Sequence, residues 1–287
     1  MNFVTVAWSK DFNMMLLQAH SLKFVNDNIT HYVIIQDNIL SIEQWQDALS
    51  TYYDRHKLVL VPNLLQNESL ISKGWIQQQI LKFKISKLIT TEDYLVLDTK
   101  NFFIKPFNLN DWSVPHGNGS IFGYRKGNKK RMDIDKFLEG ASSTYNKEIP
   151  NIHIEYMTPY KLNKKIVDSM NIDDNLSLFL DYNIYGLPCD FALYIFFIPK
   201  EIIKKCSVGT ANLVSNFFKT VPSVDQLEKV YTTSYVIGIH RRLIIEENKN
   251  KLNNLIEVLS NKGLDKHLLD NTFGGVAQLG ERLLCKQ

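Results

Sequence analysis

The chain has 287 residues, 45% of them hydrophobic and 22% charged, and its 33 Lys and Arg against 30 Asp and Glu leave a formal charge of +3. That charge is too small to argue for nucleic acid as a partner, and the length permits one large α/β domain or two small ones. The three cysteines, Cys189, Cys206 and Cys285, have no metal-ligand spacing, and their odd number argues against a disulfide framework. A reducing cytoplasm is the expected location. No signal peptide is expected, and the most apolar window, Phe191 to Ile198, is too short to cross a bilayer.

In chain order, Phe3 to Trp8 predicts an opening strand, followed by a helix capped by Ser9 or Asp11. His31 to Gln36 predicts a second strand that ends in Asp37. A helix over Ile42 to Tyr53 leads to a third strand, Lys57 to Val61, stopped by Pro62. Strands alternating with helices build a parallel sheet with helices on both faces, so the fold class is α/β. A long helix over Leu70 to Ile89 comes next. It places Trp75, Gln78, Gln79 and Lys82 on one stripe, beside an apolar stripe of Ile76, Ile80 and Phe83.

The following stretch organises the chain. Tyr94 to Leu97 is a continuous apolar run suited to a strand buried on both faces, and it stops at Asp98, Thr99, Lys100 and Asn101. Ligands collect outside the carboxyl ends of such strands. An Asp in that place also makes turns by bonding the backbone two residues on.

Beyond it a strand is expected at Ser120 to Tyr124 and helices at Asp133 to Tyr145, Leu162 to Met170 and Leu176 to Leu187. Phe191 to Ile198 reads as buried helix or buried strand. Gln226 to Val230 is helical, Ser234 to Ile239 a strand, and Ile244 to Leu259 a closing helix. Lys126, Lys129, Lys130 and Arg131 sit among Gly and Asn and read as a solvated loop, with phosphate or anionic lipid contact as the sharper alternative. A single domain over 1–270 is expected. Residues 271–287 are set aside as a tail, because Gly274 to Gln287 shifts in composition.

No Walker loop, dinucleotide glycine fingerprint, nucleophile elbow or Cys/His framework is present. The chemistry-bearing candidates near strand or helix ends are Asp37, the Trp75/Gln78/Gln79/Lys82 stripe, Asp98, Asn101, Asp181 and His240.

Gly74-Trp75, then Gln78-Gln79-Ile80-Leu81-Lys82, then Tyr94 to Asp98 resembles a group of bacterial glycosyltransferases with the GT-A fold, of nucleotide-diphospho-sugar transferase type. The resemblance extends to Ser9 and Asp11, Thr158-Pro159, Asp181-Tyr182-x-x-Tyr185 and Ile239-His240-Arg241, and spans Phe3 to Arg242. It implies a mostly parallel, Rossmann-type sheet with an acceptor-side insertion. It also implies transfer of a sugar from a nucleotide-sugar donor to a glycan or lipid-linked acceptor, in cell-surface polysaccharide synthesis, with peripheral membrane contact as an open possibility. Asp37, Trp75, Gln78, Gln79, Lys82, Lys100, Asn101 and Arg241 are then donor-site residues, with Trp75 serving packing more than sugar stacking. Lys82 would lie over the donor phosphates or pair with Asp98.

Asp98 and Asp181 are the implied catalytic residues, Asp181 as the base on the acceptor hydroxyl. Asp98 and His240 are the implied ligands for Mn²⁺ or Mg²⁺. The second acid of the Asp-x-Asp pattern is replaced by Lys100, which can neutralise phosphate directly, with Asn101 orienting a hydroxyl. A nucleotide-sugar-binding protein that has lost turnover, or a nucleotidyltransferase, are the alternatives.

Overall fold

Residues Asn2–Ala7 (β1) are all buried, as are His31–Ile35 (β2), and the two run parallel with Phe3 facing His31 and Ala7 facing Ile35. Between them lies helix α1, Phe12–Ser21. Helix α2, Ile42–Ser50, starts at a capping box in which Ser41 and Gln44 exchange side-chain-to-backbone bonds, and leads to β3, His56–Leu60, parallel to β2. Helix α3, Gly74–Lys84, delivers the chain to β4, Asp93–Asp98, which pairs parallel with β1 on its other side. The computed structural model describes residues 1–65, 74–109, 121–122, 132–149, 153–154, 158–181, 184, 189–199, 201, 216–218, 222–239 and 249–273.

After β4 come β5 (Asn101–Phe103), β6 (Ile121–Phe122), α4 (Met132–Tyr145), β7 (His153–Ile154) and β8 (Tyr160–Asn163). Helices α5 (Lys164–Ser169), α6 (Ser177–Leu180) and α7 (Asp190–Ile195) follow. The chain then runs through β9 (Asn216–Phe218), α8 (Val224–Thr233), β10 (Val236–Ile239), α9 (Lys249–Asn261) and α10 (Lys266–Phe273). The main sheet has the order β3-β2-β1-β4-β8, parallel except for β8. A second sheet has the order β5-β10-β9, and β6 pairs with β7. The chain is thus α/β with a mostly parallel central sheet.

Alternation along the buried strands sends each set of side chains to a different layer. Val4, Val6, Tyr32, Ile34, Tyr94 and Val96 meet α3 and α7 through Ile76, Ile80, Phe83, Phe191 and Tyr194. Ala7, Val33 and Ile35 meet α1 and α2 through Met15, Ala19, Trp45 and Leu49. Helix α10 packs on α1, with Leu268, Leu269, Thr272 and Phe273 buried, so regular structure continues to Phe273.

Several expected elements differ. The helix expected to close the chain over Ile244 to Leu259 is α9, Lys249–Asn261, and α10 follows it, so the tail set aside from residue 271 begins inside a packed helix. The helix over Leu162 to Met170 is a short antiparallel strand followed by α5: Tyr94 faces Leu162 and Val96 faces Tyr160, and the Asn163 side chain caps the helix from Ile166 N–H. Pairing with β4 outweighs the local pattern. The helix over Leu176 to Leu187 stops at Leu180, and Tyr182 and Tyr185 lie outside the described residues. The same holds for the basic cluster from Lys126 to Arg131, for Cys206 and Cys285, and for 274–287. The window Phe191 to Ile198 resolves as helix as far as Ile195, in α7, with every residue from Asp190 to Ile195 buried, and as a turn beyond it.

Buried within the α1–α2 layer, His31 and His56 face each other across the β2–β3 register, ring centroids 5.1 Å apart. Burial holds both imidazoles neutral, lowering His56 to about 4 and His31 well below its ordinary value, with the two rings repelling as charges. Unfolded, both titrate near 6.5. Between that value and the folded one the unfolded chain binds more protons, so stability is full above about pH 6.5 and is lost as pH falls. His56 alone contributes a loss of about 3 kcal/mol by pH 4. Urea unfolding is expected to show a lower midpoint at pH 5 than at pH 7, with the difference reduced in His56→Gln. A midpoint unchanged between the two pH values would show that the rings are solvated.

Candidate active site

The order β3-β2-β1-β4 leaves β1 in two directions, first to β2 and β3 and later to β4. The crevice at a point where the winding reverses, beyond the carboxyl ends of the strands, is where an open sheet takes its ligands. Asp98 stands there, opposite Val6 at the end of β1.

The turn from Asp98 to Asn101 holds two opposite charges. Lys100 Nζ lies 3.0 Å from Asp98 Oδ2, and both side chains are 29% exposed, so the pair is open to a ligand. Burial raises the Asp98 carboxyl, but Lys100 first and Lys82 second pull it below the usual carboxylate range, helped by a hydrogen bond from the Thr158 hydroxyl. Asn101 is buried, and its Oδ1 accepts the Asp98 backbone N–H at 2.8 Å. Its Nδ2 is buried without a hydrogen-bond partner among the described residues. It braces the turn from inside and does not present its amide to solvent, as orienting a ligand hydroxyl would require.

Beneath the turn lies a second ion pair. Lys82 Nζ is 2.9 Å from Asp190 Oδ2, with both side chains almost wholly buried. Burial disfavours the Lys82 ammonium, but Asp190 and then Asp98 overcome it and hold its pKa above the ordinary value. Gln79, one turn before Lys82, accepts the Asp190 backbone N–H through Oε1 at 3.0 Å. The stripe expected on α3 therefore does converge at Gln79 and Lys82, on an acid the sequence left unremarked. Trp75, at 40% exposure, faces solvent at the start of the helix and Gln78 is half-buried.

Asp37 is occupied differently. Its two oxygens accept the Ser9 backbone N–H, at 2.9 Å, and the Ser9 hydroxyl. Ser9 thus ties the end of β1 to the end of β2 and does not cap α1, whose first turn has no side-chain cap. Next to it, Trp8 Nε1 donates to Gln36 Oε1, and Gln36 Nε2 donates to the Gly74 carbonyl at 3.0 Å. Gly74 has no room for a side chain: a Cβ there would come within 1.9 Å of the Trp8 ring. Gly74→Ala is expected to cost about 1–3 kcal/mol through this overpacking. Guanidinium unfolding measures it, and Trp8→Phe in the same chain should recover part of the loss. Equal midpoints for wild type and Gly74→Ala would mean that the ring simply moves away.

Asp181 is exposed at the C-terminal end of α6, a helix that packs against α3. His240 and Arg241 lie outside the described residues. The residue before them, Ile239, donates its N–H to the Lys100 carbonyl at 3.3 Å, so the chain passes the turn at that point.

The described residues do not fit a divalent cation at this turn. Such ions take about six oxygen ligands. Here one carboxylate, Asp98, faces the crevice and is already paired with an ammonium. No cluster of three or more His, Cys, Asp or Glu suited to a metal occurs among the described residues. Four opposite charges, Asp98 and Asp190 against Lys82 and Lys100, balance without one.

The sequence profile of a family of unknown function (DUF6492) matches residues 10–176, more than half of the chain. The chain belongs to that family. The part of this DUF6492 member that the profile covers includes α1, α3, β4, the Asp98 turn and β8, and ends before Asp181 and Asp190. No curated protein matches the chain. Among solved structures, an active-site mutant of LgtC is similar at 11% identity and a TM-score of 0.49, covering 83% of this chain and 87% of that one. The bifunctional glycosyltransferase WbbM is similar at 10% identity and a TM-score of 0.49, covering 95% of this chain and 51% of that one. The glycosyltransferase GlyE of Streptococcus pneumoniae TIGR4 is similar at 10% identity and a TM-score of 0.46, covering 99% and 64%. No helix among the described residues is long and apolar enough to cross a membrane.

Proposed function

We propose that this chain is a glycosyltransferase that binds a nucleotide-sugar donor in the crevice between β1 and β4. The observation that carries the reading is the partly exposed Asp98–Lys100 pair at the end of β4, with the Lys82 ammonium held charged below it. A leaving nucleoside diphosphate gathers negative charge as the sugar bond breaks. Preorganised ammonium groups in a partly desolvated cleft stabilise that charge without reorganising.

In this reading Lys100 faces the diphosphate and neutralises it in place of a cation. Asp98 is released from its ion pair as the phosphates arrive and accepts hydrogen bonds from sugar hydroxyls. The Ser9–Asp37 junction borders the nucleoside end, and Gln78 and Trp75 complete the rim. Asp181, exposed beyond α6, takes the proton of the acceptor hydroxyl. The acceptor is a glycan or lipid-linked sugar, in surface polysaccharide assembly on the cytoplasmic side.

The Asp98–Lys100 pair also favours a second reading, in which donor is bound but not turned over, because the carboxylate is already engaged. Thermal shift with UDP- and GDP-sugars, each with and without Mn²⁺, followed by assay of donor hydrolysis, separates the two. A shift with slow hydrolysis supports the transferase. A shift without hydrolysis supports binding alone, and no shift with any sugar nucleotide removes both.

A further inference from the structure

We infer that Gln18 is a positioning residue of this site: its amide fixes the two ends of the Asp98–Asn101 turn, and with them the Asp98–Lys100 pair, to helix α1. Gln18 has no exposed surface, and the other buried residues of its helix are Met14, Met15, Leu17, Ala19 and Ser21, whose hydroxyl donates to the Gln18 carbonyl. An amide buried among such neighbours is costly unless its hydrogen bonds are made.

All of them are made, and in one sense. Nε2 donates to the Asp98 carbonyl at 2.7 Å and to the Asn101 carbonyl at 2.8 Å. Oε1 accepts from the Thr5 hydroxyl at 2.8 Å. Because the Thr5 proton is used there, the Thr5 oxygen accepts from His31 Nε2, 2.9 Å away. The neutral tautomer of His31 is thereby set, and the Gln18 amide cannot flip without turning its oxygen toward two carbonyls. Asn101 closes the turn from within by accepting the Asp98 N–H. Gln18 closes it from the helix side, so the backbone under Asp98 and Lys100 is held at both ends while their charged tips stay accessible. This is the arrangement a preorganised site needs: exposed working groups on a scaffold whose own polar atoms are already satisfied.

The inference about geometry stands without the proposed activity; only its consequence for donor binding rests on that reading. The test uses Gln18→Met, close in volume but unable to donate, and Thr5→Val, which removes the far end of the chain and leaves Gln18 in place. The first readout is the titration of the Asp98 carboxyl by carbon-13 NMR, assigned with Asp98→Asn and run on folded protein without ligand. Positioning by Gln18 predicts that Asp98 titrates at a higher pH in Gln18→Met than in wild type, as its pairing with Lys100 loosens, with a smaller rise in Thr5→Val. The second readout is UDP- and GDP-sugar affinity by calorimetry, expected to be weaker by about tenfold in Gln18→Met. A merely structural glutamine would lower the unfolding midpoint but leave the Asp98 titration of the folded protein where it was, and that result overturns the inference. If Gln18→Met does not fold, Gln18→Asn, which keeps a polar amide but is one methylene shorter and cannot span both carbonyls, carries the same titration, and an unmoved Asp98 there overturns the inference. If wild type binds no sugar nucleotide, the function reading fails, while the titration still decides the role of Gln18.

Discussion

Lys82→Met is expected to destabilise the fold by about 3–5 kcal/mol, because it strands a buried carboxylate. The effect is large for a physical reason specific to this pair. Lys82 and Asp190 are both almost fully enclosed, with side-chain exposures of 6% and 3%. Phe191 lies against them, its ring centroid 5.0 Å from Lys82 Nζ and stacked on Tyr160 at 3.8 Å. Asp190 would keep the backbone N–H of Phe191 as its hydrogen-bond donor, at 2.8 Å, and lose its counter-charge. Asp190→Asn is expected to cost less, since the ammonium retains Asp98 as a second acidic neighbour.

Removing both charges should restore much of the loss, as a buried ion pair exchanged for apolar groups of similar volume is often neutral. Urea unfolding of Lys82→Met, of Asp190→Leu and of the double variant measures the coupling. A single-variant loss below about 1 kcal/mol, the size expected of a solvated pair, would show that water reaches it. The double variant also separates stability from function: a folded protein with no Lys82 ammonium should bind sugar nucleotides poorly if the site is as described.

Much of the scaffold could be read from the chain because its signals are local. Tyr94 to Leu97 is a continuous apolar run, Phe3 to Ala7 is apolar but for Thr5 and Tyr32 to Ile35 is wholly apolar, and each lies in a strand buried on both faces. The turn at Asp98 follows from a run that stops at four polar residues. What escaped was set by distant partners. Tyr160 to Asn163 has only four residues and runs into a Lys-rich helical pattern; it is a strand because β4 offers it an edge.

Asp190 looks like an ordinary acid at a helix start, and its meaning comes from Lys82, which is far away in sequence. The apolar window that follows it gave no period that separates helix from strand, and packing against α3 decides for helix. Gln18 did carry a local signal, a lone amide on an apolar helix face, which asks for partners that only the fold can supply. Ser9 has the chemistry of a helix cap and is used instead as a tie to Asp37.

Asp98→Ala is expected to abolish sugar transfer while the protein stays folded, and Lys100→Ala to weaken donor binding by about 1.5–3 kcal/mol, the worth of a hydrogen bond to a charged group. The contrast with Lys82 lies in exposure. At 29% for each side chain, the Asp98–Lys100 pair is partly hydrated, so breaking it should cost the fold little, on the order of 1 kcal/mol or less. The loss should therefore appear in binding and turnover.

Because the Asp98 carboxyl is held below the usual range, it is ionised throughout the neutral region, and donor binding should show no step from this group between pH 6 and 8. Lys100→Arg keeps the charge and should retain most of the affinity, whereas Mn²⁺ added to Lys100→Ala should not restore it, since the described residues offer a cation at this turn a single carboxylate. Calorimetry with UDP- and GDP-sugars reads the binding, and donor hydrolysis reads the chemistry. Unchanged transfer in Asp98→Ala takes that carboxylate out of the mechanism. Wild-type affinity in Lys100→Ala moves the neutralisation of the phosphates to other side chains, with Arg241 the next to replace.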